Sequence, residues 1–372
     1  MDTPLCLSIV GTRPEAIKMA PVVRCIEACA RLRSYVIEIG QHETLLSNAL
    51  EGFGIVPDER LTISRKRNSI LEVVAQAIDF LDEAFARLQP AYVIAQGDTA
   101  TVAAGAVAAF YRRIPFVHVE AGLRSNDLSA PFPEEFNRRI AALGATLHCA
   151  PTEEAARNLI AEGVDPEDCL VTGNTVIDGL LATHRSAPPL PPDFPDVRRP
   201  ILVTAHRRES FGERMETAFR ALREVVDTYP DVALYFPVHP NPNTRTLANR
   251  ILGGHERIVR TEPLGYAQMV AALAACWLVV TDSGGLQEEA PALGKPVLVL
   301  RDVTERPEAV AMGAVRLVGT NADAIRTAIS ELHDQPSAYE AMARPIFPYG
   351  DGHAAERIVA AMLDRLPEDR RS

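Results

Sequence analysis

Three acidic residues fall where short apolar runs end. Asp98 lies in Gln96-Gly97-Asp98-Thr99, just after residues 92–95. Glu120 lies in His118-Val119-Glu120-Ala121-Gly122, at the end of residues 115–119. Glu134 lies in Pro131-Phe132-Pro133-Glu134-Glu135, a proline-braced turn ahead of a helical segment. Singly, each has a bland reading: Asp98 suits a helix N-cap, and a carboxylate after an apolar run is either ionised and paired or protonated with a raised pKa. Three acids at successive strand or turn ends of one sheet can converge on one cleft. Convergence pushes their pKa values apart and supplies a base and an acid near neutrality.

Basic and small residues occupy similar places. Arg13 and Lys18 follow Gly11-Thr12 at the end of residues 5–10, with Pro14 suited to a first helical turn. They read either as solvated residues on an ordinary βα turn or as an anion-facing loop. His206 follows residues 201–204 beside Arg207 and Arg208, a placement that favours function over a structural histidine. After residues 277–281 comes Asp282-Ser283-Gly284-Gly285, where Ser283 can cap a helix and the glycines expose its first amides to a phosphate. Glu289, one turn further, is placed to accept from a ribose diol, and Arg306 offers a guanidinium fork for a diphosphate. The alternative for this block is a plain glycine-containing βα turn. No G-x-G-x-x-G follows the first strand and no G-x-x-x-x-G-K-[ST] occurs, which argues against nicotinamide-dinucleotide binding and nucleotide hydrolysis. No cofactor and no metal are expected.

The elements that must position these residues alternate. Residues 5–10, 35–39, 92–95, 115–119 and 169–172 read as strands, with amphipathic or alanine-rich helical segments between most of them. A proline-rich stretch at 186–200 reads as linker or surface loop. The alternation restarts at 201–204, 232–236, 257–260, 277–281 and 296–300, and a last helix is expected near 353–366. The fold class expected is α/β, with two Rossmann-like, doubly wound domains and ligands at strand carboxyl ends facing a cleft. The boundaries expected are 1–173 plus a C-terminal helix at 355–372 for the first domain, and 174–354 for the second.

Composition agrees with that class. The chain has 372 residues, 47% hydrophobic and 23% charged, a length for two domains. A formal net charge of −11 makes it a poor general binder of nucleic acid or anionic membrane. An anionic ligand therefore needs a local cluster of arginine, lysine and helix N-termini. The six cysteines form no C-x-x-C pair and read as buried thiols of a reducing compartment. The apolar run at 269–280 is shorter than the roughly 20 residues of a membrane span. The N-terminus lacks the basic region and cleavage site of a signal peptide. A cytoplasmic location is expected.

GTRPEAIKMAP at 11–21, GDT at 97–99, HVEAGLR at 118–124, PEE at 133–135, TGNTVID at 172–178, HRRESFG at 206–212, TDSGGLQEEAP at 281–291 and TERPE at 304–308 together resemble the non-hydrolysing UDP-N-acetylglucosamine 2-epimerases of bacteria. The match runs in order through almost the whole chain, and PEAIKMAP after GTR favours the non-hydrolysing branch. The resemblance implies a glycosyltransferase-B-like fold and interconversion of UDP-N-acetylglucosamine and UDP-N-acetylmannosamine, supplying N-acetylmannosamine units for cell-envelope polysaccharide. It implies catalytic roles for Asp98, Glu120, Glu134 and His206. It implies nucleotide-diphosphate contacts for Arg13, Lys18, Ser283, Gly284, Gly285, Glu289 and Arg306. It also implies a homodimer, and an activating second substrate site matched in part by Gln41, Arg207 and His239. Two segments depart from the family: relatives often read QHREML where this chain has QHETLL at 41–46, and Leu264 and Met269 replace a glutamine and a phenylalanine near the base. A glycosyltransferase of the same fold and a non-catalytic nucleotide-sugar sensor are the competing readings. The first would need an acceptor site, and the second has no use for three acids.

Overall fold

The computed structural model describes residues 3–40, 43–64, 69–207 and 211–366. Among the described residues thirteen strands form two sheets, each wholly parallel in its pairings.

The first unit comprises residues 1–181 and 349–372. Its strands are β1 (Leu5–Val10), β2 (Arg33–Gly40), β3 (Glu59–Thr62), β4 (Tyr92–Gln96), β5 (Phe116–Val119), β6 (Leu147–Ala150) and β7 (Cys169–Val171), in the order β3-β2-β1-β4-β5-β6-β7. The strand order reverses at β1 and β4, the place where open α/β sheets carry ligands. β1, β4 and β5 are buried along their whole lengths. That is why they read in the sequence as mainly apolar runs, interrupted only by Ser8, Gln96 and His118, rather than alternating ones. β3 and β6 were not expected: ERLT is a short edge strand without an apolar run, and LHCA, though buried, is only four residues long.

One face of this sheet is closed by the late helix Ala354–Asp364. Its Ile358, Val359 and Met362 pack in one core with Val22, Val23 and Ile26 of the helix Arg13–Glu27, and the Tyr92 hydroxyl donates to the Met362 carbonyl at 3.0 Å.

The second unit comprises residues 182–348. Its strands are β8 (Arg199–Thr204), β9 (Val232–Pro237), β10 (Ile258–Thr261), β11 (Leu278–Thr281), β12 (Val297–Val299) and β13 (Val315–Leu317), ordered β10-β9-β8-β11-β12-β13. Its core joins Val203, Phe219, Leu222, Phe236, Leu278 and Ile325. β13 was not expected, being three residues long with an arginine at its centre.

The units divide at residues 181/182 and 348/349 rather than at 173/174 and 354/355. The reason lies in local bonds of the first unit. Asn174 N donates to the Tyr349 carbonyl at 2.5 Å, and Ala355 N donates to Asp178 Oδ1 at 2.8 Å. Segments 174–181 and 349–355 are thereby tied to each other, and the boundary falls inside the helix Thr175–Arg185. Of the six cysteines, all free, Cys6, Cys149 and Cys276 are buried; Cys25, Cys29 and Cys169 are only half-buried. Among the described residues, no helix is long and apolar enough to cross a membrane.

Candidate active site

In the first unit the turn after β1 is locked before it can present anything. Thr12 caps the helix Arg13–Glu27, and Glu15 reaches back to accept from Gly11 N at 2.5 Å and Thr12 N at 3.1 Å. This capping box fixes where Arg13 and Lys18 start. Burial pushes the Glu15 carboxyl up to about 7, with Asp98 adding to the rise and hydrogen bonds from Thr99 and Gly11 opposing it. Thr12, Arg13, Asp98 and Glu134 line one cavity of about 390 Å³, whose other wall is apolar and includes Ile39, Ile63 and Val73.

Asp98 is not the helix cap that its position allowed. Thr99 caps the helix Ala100–Arg112, leaving the Asp98 carboxylate to Arg138 Nε at 2.8 Å. Its backbone is held as well: Asn137 Nδ2 donates to the Asp98 carbonyl at 2.8 Å, and the His118 ring bonds the Gly97 carbonyl at 2.8 Å. Burial raises the Asp98 pKa and nearby Glu120 raises it further, against Arg138 and Lys18. Glu134 is the first residue of the helix Glu134–Gly144 and is half-buried.

Glu120 lies outside the cavity lining, one strand over. Its backbone takes φ of 61°, a left-handed value unusual for a residue with a side chain. Its carboxylate is buried among donors. Lys18 Nζ lies at 2.6 Å from Oε2, Gln96 Nε2 also donates to Oε2, and Asn174 Nδ2 donates to Oε1 at 3.1 Å. In this structure Lys18 pairs with the Glu120 carboxylate.

In the second unit the centre is Asp282, fully buried at the end of β11. Its Oδ2 accepts from His206 N and Arg207 N, both at 2.8 Å, and His206 Nδ1 lies 3.0 Å from its Oδ1. Burial alone would raise its pKa; the His206 ring and the two amides outweigh that and hold it below the ordinary aspartate value. The His206 ring stacks on His239, with centroids 5.5 Å apart, and His239 is exposed. Arg207 reaches toward Gly284. Gln41 lies outside the described residues.

Ser283 stands at the N-cap of the helix Gly284–Ala292, yet its side chain makes no capping bond there, contrary to expectation. Its amide instead donates to Thr281 Oγ1 at 2.9 Å. An ideal Cβ on Gly284 or Gly285 would meet nothing closer than 3.8 Å. The first turn therefore presents backbone amides without side-chain cover, as an anion requires. Glu289 accepts from the Tyr266 hydroxyl at 3.0 Å. Arg306 donates through Nε to Glu288, and its own amide is held by Thr304 Oγ1 at 3.0 Å.

Sequence reasoning missed Asp282, Gln96 and Asn174. For Asp282 a signal existed, since the strand-end rule that singles out Asp98 applies equally to it. Replacing Asp282 by asparagine keeps an acceptor for the two amides but turns an NH2 toward the His206 ring. The imidazole then loses the carboxylate charge that lies 3.0 Å from its Nδ1. Turnover is expected to fall roughly 100-fold, with a smaller change in KM, in steady-state kinetics; unaltered kinetics would remove Asp282 from the machinery.

The family model described as UDP-N-acetylglucosamine 2-epimerase matches residues 24–363. The UDP-N-acetylglucosamine 2-epimerase of Escherichia coli (strain K12) is 43% identical over 366 residues, covering 96% of this chain and 97% of the relative. That of Bacillus subtilis (strain 168) is 44% identical over 360 residues, covering 96% and 94%. The crystal structure of UDP-GlcNAc 2-epimerase from Neisseria meningitidis bound to UDP-GlcNAc superposes with a TM-score of 0.90 at 39% identity, covering 97% of this chain and 100% of that one. Such identity sustained over nearly the full length of both partners leaves one conclusion: the chain belongs to the UDP-N-acetylglucosamine 2-epimerase family.

Proposed function

We propose that the protein is an isomerase interconverting UDP-N-acetylglucosamine and UDP-N-acetylmannosamine without net hydrolysis. The observation that carries this reading is a set of carboxylates in one unit: Asp98, after β4, and Glu134, at the start of the helix Glu134–Gly144, on one cavity, and Glu120, after β5, in a ring of donors. It is joined to the family match over residues 24–363.

The chemistry explains why several acids are needed. The C2 hydrogen of the sugar is next to no carbonyl, so direct abstraction and return is too slow. Elimination avoids this. A carboxylate takes the C2 proton, the C2–H electrons form the C1=C2 double bond, and the C1–O electrons leave on the diphosphate oxygen. The intermediate is 2-acetamidoglucal with UDP. Re-addition reverses the step, with a proton delivered to the opposite face of C2 and the diphosphate oxygen bonding C1 again. The route is redox-neutral. It requires acid and base groups on both faces of C2, the role assigned to Asp98, Glu120 and Glu134. It also requires stabilisation of the leaving diphosphate, assigned to the first turn of the helix Gly284–Ala292, Arg13, Lys18, Arg306 and His206. Glu289 is assigned to the ribose. Gln41, Arg207 and His239 are assigned to an activating second site. The reading further places a homodimer in the cytoplasm, supplying N-acetylmannosamine for envelope polysaccharide.

Proton NMR of UDP-N-acetylglucosamine with the enzyme in heavy water tests this. Epimer forming with no acceptor, with deuterium at C2, is the expected result. A requirement for an acceptor, or C2 hydrogen drawn wholly from the starting sugar, would overturn it.

A further inference from the structure

The segment TGNTVID carries no role in the reaction as described, yet Asn174 within it is 2% exposed and touches Glu120. Three bonds determine what it does. Its Oδ1 accepts from Val176 N at 3.1 Å, in the first turn of the helix Thr175–Arg185. That fixes the amide orientation, because the oxygen is committed to a backbone donor. The NH2 group must then face the other way, and it donates to Glu120 Oε1 at 3.1 Å. The backbone N–H donates to the carbonyl of Tyr349, the first residue of the returning chain in the first unit.

The returning chain sits close. Gly350 and Gly173 pack backbone to backbone, so that a Cβ on Gly350 would lie 3.1 Å from Asn174 N and one on Gly173 would lie 2.9 Å from Gly350 Cα. Both glycines have positive φ, 137° and 86°. A side chain at position 350 would press first on the Asn174 amide, whereas one at 173 would press on the backbone of Gly350.

We infer that Asn174 is a positioning residue for Glu120, and that the chain returning at 349–350 sets the orientation of that carboxylate through it. Lys18 and Gln96 hold Oε2, and Asn174 holds Oε1. A carboxylate gripped at both oxygens cannot rotate, so the lone pair aimed at substrate keeps one direction. This rests on the assignment of Glu120 to the C2 proton.

Asn174→Asp separates positioning from mere structure. It retains an oxygen for Val176 N, so the helix start survives, but it replaces the donor facing Glu120 by a second carboxylate. Like charges at contact raise the pKa of the pair. The expected result is a melting temperature close to wild type, kcat lower by roughly 10- to 100-fold, KM changed by less than about threefold, and the acid limb of the kcat–pH profile moved up by about one unit. Asn174→Ala loses the cap as well, so it should melt lower than Asn174→Asp while shifting the pH limb less. Gly350→Ala should lower kcat in the same sense through Asn174, and an unchanged rate there removes the returning chain from the inference. If Asn174→Asp keeps wild-type kcat and an unmoved limb while Glu120→Gln is inactive, the inference fails and the assignment of Glu120 stands. The inference also fails if the rates of the two Asn174 variants simply follow their melting temperatures. If Glu120→Gln itself exchanges C2 hydrogen at the wild-type rate, it is the assignment that fails.

Discussion

Replacing Glu120 by glutamine is expected to lower the rate of C2 exchange and of epimerisation by roughly 1000-fold, with KM changed far less. The effect has two sources. A glutamine amide cannot accept a proton from C2 as a carboxylate does. It also cannot sit quietly in this site. Glu120 accepts from the ammonium of Lys18 and from the NH2 groups of Gln96 and Asn174, all donors. Whichever way a glutamine amide turns, its own NH2 meets a donor. Oriented toward Oε2 it faces Lys18 and Gln96; oriented toward Oε1 it faces Asn174. A buried polar group left facing its own kind costs on the order of 1–3 kcal/mol, so lower thermal stability should accompany the lost rate. Glu120→Gln with wild-type exchange in heavy water would remove this carboxylate from the reaction.

The second large effect concerns Gly122, two residues further along the same loop. Its φ is 89°, and an added Cβ would stand 2.1 Å from the Ala155 carbonyl oxygen and 2.7 Å from its carbon. That oxygen belongs to the helix Glu153–Ala161, so no flexible side-chain tip can swing away. The same loop is tied to this helix by Asn158 Nδ2, which donates to the Gly122 carbonyl at 3.0 Å. Gly122→Ala must both strain the backbone and move a helix. A destabilisation of roughly 3 kcal/mol or more is expected, lowering the melting transition by about 5–10 °C. Calorimetry of the purified variant decides it, and a wild-type transition would mean that the close approach is not present in solution.

The strands that surround these sites were legible where they are buried on both faces. LCLSIV and YVIAQ are apolar but for Ser8 and Gln96, because helices cover both sides of a parallel strand. ERLT and VRL were not legible, because a short strand at a sheet edge needs no apolar run; LHCA was missed although it is buried throughout. Strand-end acids could be found by position alone. Their partners could not, since the bonds from Gln96, Asn174 and Lys18 to Glu120 span 24, 54 and 102 residues. Only the order of strands in the sheet brings those residues together. The domain boundary escaped for a similar reason: a single helix, Thr175–Arg185, runs through it, and no composition change marks the middle of a helix.

The discontinuity of the first unit bears on how the chain reaches its native state on the ribosome. The unit of 182–348 is contiguous, so every residue of its core has been synthesised before residue 349 is made. The earlier-made unit must wait longer. Until Ile358, Val359 and Met362 emerge, the apolar side of the helix Arg13–Glu27 lacks its cover. Synthesis order and completion order are therefore opposite, and through that interval the uncovered helix is the segment most open to misassociation or to a chaperone.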